Sequence, residues 1–182
     1  MSRKYKMAYP DGMYFVSFAV VYWMDVFIRE EYMAILTDSL NYCSKEKGLE
    51  LFCYCKMPSH VHLIFRDKNC VPSKLLKEFK THTSKAIKKA IENNPKESRK
   101  EWLLVMMKQA AKKKTNVSLY QFWQHHNKPI ELWSNAVISQ KMNYIHNNPV
   151  VSGFVCKPED WKYSSAGDYA GIKGQVNLCM IF

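Results

Sequence analysis

From Met13 to Trp23 the chain reads Met-Tyr-Phe-Val-Ser-Phe-Ala-Val-Val-Tyr-Trp, dense in β-branched and aromatic residues and preceded by the turn-forming pair Asp11-Gly12. This run predicts a first strand, buried on at least one face. The period then changes. Between Glu30 and Lys47 the apolar positions Met33, Leu36, Leu40 and Cys43 recur at three- and four-residue intervals, and Gly48 stands where a helix closes. Leu49 to Met57 returns to alternation, with Leu49, Leu51, Cys53 and Cys55 set against Glu50, Phe52, Tyr54 and Lys56. This predicts a second strand. The short Pro58-Ser59 link favours an antiparallel hairpin into a third strand, Val61 to Phe65.

After Asp67-Lys68-Asn69, Pro72-Ser73 opens a long helix running to about Asn93, with Leu75, Leu76, Phe79, Ala86, Ile87, Ala90 and Ile91 as its buried stripe. Pro95 ends it. Residues 96–114 read as a further helical, strongly basic segment, and Leu119 to Trp123 as a short strand. Ser134 is a suitable N-cap for a helix from Asn135 to Asn148, ended by Pro149. The tail, 150–182, has no long periodicity and is expected to wrap the domain. The order is β-α-β-β-α, with neither linker nor internal repeat.

At 182 residues the chain is long enough for one cored domain, so a single domain over 1–182 is expected. Lys and Arg outnumber Asp and Glu by 27 to 16, a formal charge of +11. Such an excess points to a polyanionic partner, nucleic acid before membrane, since no basic amphipathic anchor accompanies it. No run approaches the roughly 18 apolar residues of a membrane span, and no signal core follows the N-terminus, so no membrane and a cytoplasmic location are expected. The six cysteines form no Cys-x-x-Cys pair and are read as reduced, mostly buried hydrophobes.

Two stretches carry candidate chemistry. On a strand, His60 and His62 share one face while Val61, Leu63 and Phe65 take the other, and two imidazoles so held can grip a divalent metal. The same pair is also what a strand-end cap and a hydrogen-bonded histidine at the core margin look like. On the helix 135–148, Tyr144 lies in a polar column with Gln140, Lys141, Asn147 and Asn148. There it is either a rim residue with a hydrogen-bonded hydroxyl or a reactive group. The helix 72–93 carries Lys74, Lys77, Lys80, Lys85, Lys88 and Lys89 along its exposed side, a row that is solvated or tracks phosphates. His125 and His126 are adjacent and face opposite ways, so they read as loop or nucleic-acid contacts.

Pro58-Ser59-His60-Val61-His62-Leu63 resembles the histidine–hydrophobic–histidine (HUH) motif of single-tyrosine transposases. Asn143-Tyr144-Ile145-His146-Asn147-Asn148-Pro149-Val150, followed by Gly153-Phe154-Val155 and by Asp160-Trp161-Lys162-Tyr163-Ser164-Ser165, resembles their REP-associated branch. The resemblance covers about residues 10–170, with the basic segment 95–116 as an insertion. It implies a ferredoxin-like α+β fold: an antiparallel sheet with helices packed on one face, the HUH motif on a central strand and the tyrosine on a helix. It implies that His60, His62 and Asn148 bind Mg²⁺ or Mn²⁺, with Asn147 as the alternative amide. Tyr144 would attack a DNA phosphate and form a 5′-phosphotyrosine link. The implied substrate is single-stranded or hairpin DNA, handled by a monomer or homodimer, with Lys74, Lys77, Lys80 and Lys85 along the backbone and Trp123, Tyr120 or Phe122 stacking on bases. A nucleic-acid-binding protein without catalysis, and a metal-dependent hydrolase using water, are the competing readings.

Overall fold

The computed structural model describes residues 7–112 and 119–181. β1 (Tyr14–Ala19), α1 (Glu30–Glu46), β2 (Leu49–Lys56), β3 (His60–Asp67), α2 (Pro72–Asn93), α3 (Lys100–Lys112), β4 (Ile130–Glu131), α4 (Asn135–Val151) and α5 (Ala166–Tyr169) follow in order. The four strands form one antiparallel sheet, ordered β2-β3-β1-β4. This is the expected ferredoxin-like α+β arrangement, and it puts the His-x-His strand inside the sheet, paired on both edges.

The sheet is buried on both faces. Tyr14, Val16 and Phe18 of β1 and Val61, Leu63 and Phe65 of β3 join Leu36 and Leu40 of α1 and Leu75, Leu76 and Phe79 of α2 in the larger core. Phe15 and Ile64 point the other way, into a smaller core with Ile138, Met142 and Ile145 of α4. Thus α1 and α2 cover one face as expected, and the tyrosine helix is added on the other. The reason is the phase of the strands: with apolar residues at both parities, neither face can be left to water.

The register of β2 departs from simple alternation. A bulge between Leu51 and Cys53 advances the strand by one residue, so Leu49 and Leu51 face the larger core while Cys53 and Cys55 face the smaller one. The free edge of β2 is covered by the tail: Lys56 N donates to Tyr163 O, Ser165 N to Tyr54 O and Cys179 N to Leu51 O, at 2.8–3.0 Å. The tail therefore wraps the domain, closing an edge that would otherwise offer unpaired amides.

Several boundaries differ from expectation. β1 stops at Ala19 because Val21–Trp23 turn as a 3-10 segment, with Tyr22 and Trp23 at φ 56° and 55°. The segment 119–123 contributes one bridge, Val20 to Trp123, rather than a strand, and the fourth strand is instead Ile130–Glu131, too short to show a pattern. α4 continues through Pro149 to Val151 and closes in a Schellman motif, in which Gly153 (φ 75°) donates to Val150 O and Phe154 to Pro149 O. Proline so near the end of α4 gives up only the hydrogen bond to the Ile145 carbonyl. The six cysteines are free, and three of them (Cys43, Cys53, Cys55) are buried. Among the described residues no helix is long and apolar enough to cross a membrane. Within the basic segment 95–116, α3 packs Leu103 and Met107 into the larger core, and residues 113–116 lie outside the described chain.

The turn between α2 and α3 is built on Glu97, whose side chain is fully enclosed. Arg29 Nε lies 2.6 Å from its carboxylate, Arg99 Nε 3.1 Å, and Tyr32 Oη 3.3 Å. Burial alone would raise its pKa, but the hydrogen bonds from Arg29 and Arg99 overcome this and hold it at about 2, below the ordinary 4.5. Its contribution to stability is therefore complete above pH 4.5 and is lost as the pH falls towards 2. Glu97→Gln, which leaves two guanidinium groups without their counter-charge, is expected to cost about 3 kcal/mol in urea unfolding at pH 7. The difference between wild type and variant should shrink as the pH is lowered from 5 to 3. Equal unfolding midpoints at pH 7 would show that this clamp does not hold the turn.

Candidate active site

β3 brings His60 and His62 to the face covered by α4. Their rings lie 4.7 Å apart, centroid to centroid, at 81°. His62 is 2% exposed and stacks on Phe15 at 5.8 Å. Neither of its ring nitrogens has a hydrogen-bond partner. Burial, then the neighbouring His60, holds its pKa down to about 3, so this imidazole is neutral at physiological pH. His60 is also lowered by burial, partly opposed by Asn148 and the charge of Asp25, and its Nδ1 lies 3.2 Å from Ser59 Oγ.

Tyr144 sits above this pair. Its ring meets His62 at 5.4 Å and Phe15 at 6.0 Å, both edge-on, and the residue is 49% exposed. The ammonium of Lys141, one turn earlier, lies 5.6 Å from the Tyr144 ring centroid and 5.1 Å from that of Phe15. One turn later Asn148 adjoins His60, and its Oδ1 is buried without a partner. Asn147, by contrast, is exposed and donates to Asn143 O at 2.9 Å.

The rotation of α4 about its axis decides these positions. Ile138, Met142, Ile145 and Pro149 are its buried residues. Tyr144 and Asn148 lie at one margin of that stripe and His146 at the other. His146 Nε2 lies 2.9 Å from Ser165 Oγ and 3.2 Å from Cys53 Sγ, and Ser165 Oγ accepts from Tyr54 N at 3.0 Å. Burial lowers the pKa of His146 to about 4, so it stays neutral in this network. Tail, β2 and α4 are thus pinned together two residues from the tyrosine.

The predicted DNA contacts fare unevenly. Trp123 is 5% exposed, donates from Nε1 to Thr83 Oγ1 at 3.1 Å and packs on Phe18, Phe27 and Phe122. It is a core residue rather than a stacking surface, because the bridge to Val20 draws its segment under α2. Phe122 is likewise buried. Lys80 is corrected as well. It borders the Phe79–Thr83 stripe, and its ammonium is tied to Gln124 O (2.9 Å) and Asn127 Oδ1 (2.5 Å) over the Phe18 ring. Burial lowers its pKa to about 8. It straps a loop to the helix. Lys74, Lys77 and Lys85 are exposed, but α2 lies on the sheet face opposite His62 and Tyr144. His125 and His126 are exposed in the 124–129 loop.

Trp23 and Lys141 have no role in the sequence reading. Trp23 is 55% exposed, with its ring 5.3 Å from that of His60, although its run of sequence reads as a buried strand. Lys141, three residues before Tyr144, was visible only as a member of the polar column.

Among the described residues no three His, Cys, Asp or Glu side chains gather as a metal site. Two neutral imidazoles and one buried amide oxygen do converge, and a cation ligated by one ring nitrogen of each histidine and by Asn148 Oδ1 would give partners to two of the buried, unpartnered atoms there.

The residues 11–104, just over half the chain, match the model of the IS200-like transposase family. The protein belongs to that family of transposases, proteins that move DNA segments. Its fold matches a structure of a REP-associated tyrosine transposase bound to a REP hairpin, with a TM-score of 0.67 at 16% identity, over 100% of this chain and 94% of that one. A transposase assignment from Deinococcus radiodurans R1 is attached to a second, more distant structure, with a TM-score of 0.47 at 21% identity over 74% of this chain and 88% of that one. No curated protein matches the chain.

The unpaired nitrogens of His62 should cost the metal-free protein stability, since an unsatisfied buried polar group costs about 1–3 kcal/mol. His62→Phe, similar in shape and stacked on the same Phe15 ring, is expected to raise the melting temperature measured in a chelating buffer. A lower melting temperature would mean that the imidazole is satisfied.

Proposed function

We propose that this transposase is a metal-dependent, single-tyrosine DNA strand-transfer enzyme of the REP-associated kind, acting on single-stranded or hairpin DNA. The observation that carries this reading is the meeting of the Tyr144 ring with His62, where the His62 nitrogens and Asn148 Oδ1 are buried without partners. In this reading His60, His62 and Asn148 hold Mg²⁺ or Mn²⁺. Such a cation polarises a phosphoryl oxygen and neutralises charge that develops on it.

The chain's own residues do the rest. Tyr144 Oη, giving up its proton to solvent, attacks the phosphorus of a single strand. The bond to the 3′ oxygen breaks, that oxygen takes a proton, and the protein keeps a 5′-phosphotyrosine link. Attack by a free 3′-OH reverses the same exchange, so strands are rejoined without an external energy source. Lys141, beside the Tyr144 ring, is placed to favour negative charge at the reacting oxygens. The tyrosine's partial exposure leaves room for a strand, and the burial of His62 keeps an imidazole neutral and available as a ligand.

Because Tyr144 meets His62 within a single chain, the reading favours a monomer as sufficient for cleavage. The cytoplasm is the proposed location, and the chain is proposed to act as one domain. The exposed Lys74, Lys77 and Lys85 are proposed as a secondary track for DNA leaving the site around the back of the sheet.

Tyr144→Phe removes one hydroxyl at the surface and should leave stability within about 0.5 kcal/mol of wild type. It is expected to bind single-stranded oligonucleotides from the flanks of its own gene yet form no covalent adduct, read by denaturing gel and peptide mapping. An adduct formed by this variant, or mapped to another residue, overturns the assignment. Cleavage that persists in Tyr144→Phe without an adduct would instead support the water-dependent hydrolase.

Mn²⁺ or Mg²⁺ is expected to raise the melting temperature of wild type, and a chelator to stop its cleavage. His60→Ala and His62→Ala should lose both responses while keeping most DNA affinity, which comes from phosphate contacts. Undiminished cleavage by the double variant would remove the metal assignment.

A further inference from the structure

We infer that Trp23 is a stacking platform for an unpaired DNA base beside the phosphate held at His60 and Tyr144. The inference rests on the strand-transfer reading above and adds a base-contacting residue to it.

The backbone is the first observation. Tyr22 and Trp23 are consecutive aromatic residues in the left-handed region, at φ 56° and 55°. Bulky side chains rarely adopt that conformation, which favours Gly or Asn. The turn is held there from several directions. Val20 N donates to Ser59 O at 2.9 Å, Val21 N to Phe122 O at 2.8 Å and Trp23 N to Val20 O at 3.0 Å. Just beyond, Phe27 N donates to Pro58 O at 2.8 Å and Arg99 Nη1 to Asp25 O at 2.8 Å. Strain fixed in this way concentrates at functional sites.

Exposure is the second. Trp23 is 55% exposed, so its large ring contributes little to the core, whereas Val20, Val21, Met24 and Val26 around it are all buried. The chain thus adopts a costly backbone to hold outside the core a residue that would ordinarily be buried.

Place is the third. The indole lies edge-on to His60, ring centroids 5.3 Å apart at 70°. A phosphate at the two histidines would carry its neighbouring nucleotide within reach of this ring. Base–aromatic stacking requires only a π face and so tolerates any base. It also requires the base to be unpaired, which makes Trp23 a selector for single strands. Trp123 and Phe122 are buried and cannot serve this purpose.

The test separates bases from phosphates. Two 12-nucleotide probes are compared, oligo-dT and a strand of the same length in which every base is replaced by the abasic tetrahydrofuran spacer. Binding is measured by anisotropy in the Tyr144→Phe background, so that no adduct forms. Trp23→Ala is expected to weaken oligo-dT binding about 5- to 100-fold and leave the abasic strand within about two-fold, and Trp23→Phe to restore most of the loss. Equal weakening on both probes, or none on either, overturns the inference. So does a Trp23→Phe protein as weak as Trp23→Ala, because a ring face would then not be what binds. If the unsubstituted protein binds neither probe, the strand-transfer reading fails, and this inference with it. Binding that responds as expected while no cleavage is found with any strand would keep Trp23 as a base contact and remove only the chemistry.

Discussion

The pleat of β3 is the constraint on which the rest depends. Successive side chains of a strand take opposite faces, so anchoring Val61, Leu63 and Phe65 in the larger core leaves His60 and His62 no choice but the other side. β3 is paired along both edges, with His62 opposite Ser17 on β1 and Cys55 on β2, so a slip of one residue would break two ladders at once. The imidazoles are therefore positioned by the hydrophobic effect acting on their neighbours. The sheet alone holds them in place, and the His62 nitrogens are left unsatisfied.

Everything opposite the histidines serves to bring a second element to the same rigidity. α4 has an apolar stripe to bury, and the smaller core offered by Phe15, Phe52, Cys53, Cys55 and Ile64 receives it. The Ser134 side chain accepts from Val137 N to fix its start, the Gly153 turn fixes its end, and the His146–Ser165–Tyr54 network fixes its rotation. A helix so held can present Tyr144 half in solvent without wandering. The same economy holds at the turn 21–23, which the linker of the histidine hairpin and the Glu97 clamp hold from two sides.

The charge of the molecule has two separate meanings. Lys141 stands beside Tyr144, and Lys80 is drawn in to strap a loop. The exposed lysines of α2 lie behind the sheet. A net charge of +11 thus describes the attraction of the whole protein for a polyanion, while specific contacts are set by which lysines remain free on which face.

Much of this was legible in the residues. Period-3.6 patterns gave α1, α2 and α4 nearly to their ends, because a helix that buries one face must carry its periodicity. Alternation gave β2, and density in β-branched and aromatic residues gave β1 and β3, with β1 ending at Ala19 rather than Trp23. The alternation in β3 paired the histidines, and the spacing in α4 set Asn148 one turn from Tyr144. Other features were decided only by packing. β4 is two residues long and has no pattern to read. Trp23 and Trp123 are chemically the same, each preceded by an aromatic residue, and only the fold makes one a surface and the other a core residue. Lys80 and Lys77 share one row, separated by the chance that position 80 adjoins the buried stripe. Sequence determines which side chains want to leave water. Which of the rest find partners depends on what the folded chain brings alongside them, and local periodicity does not contain that information.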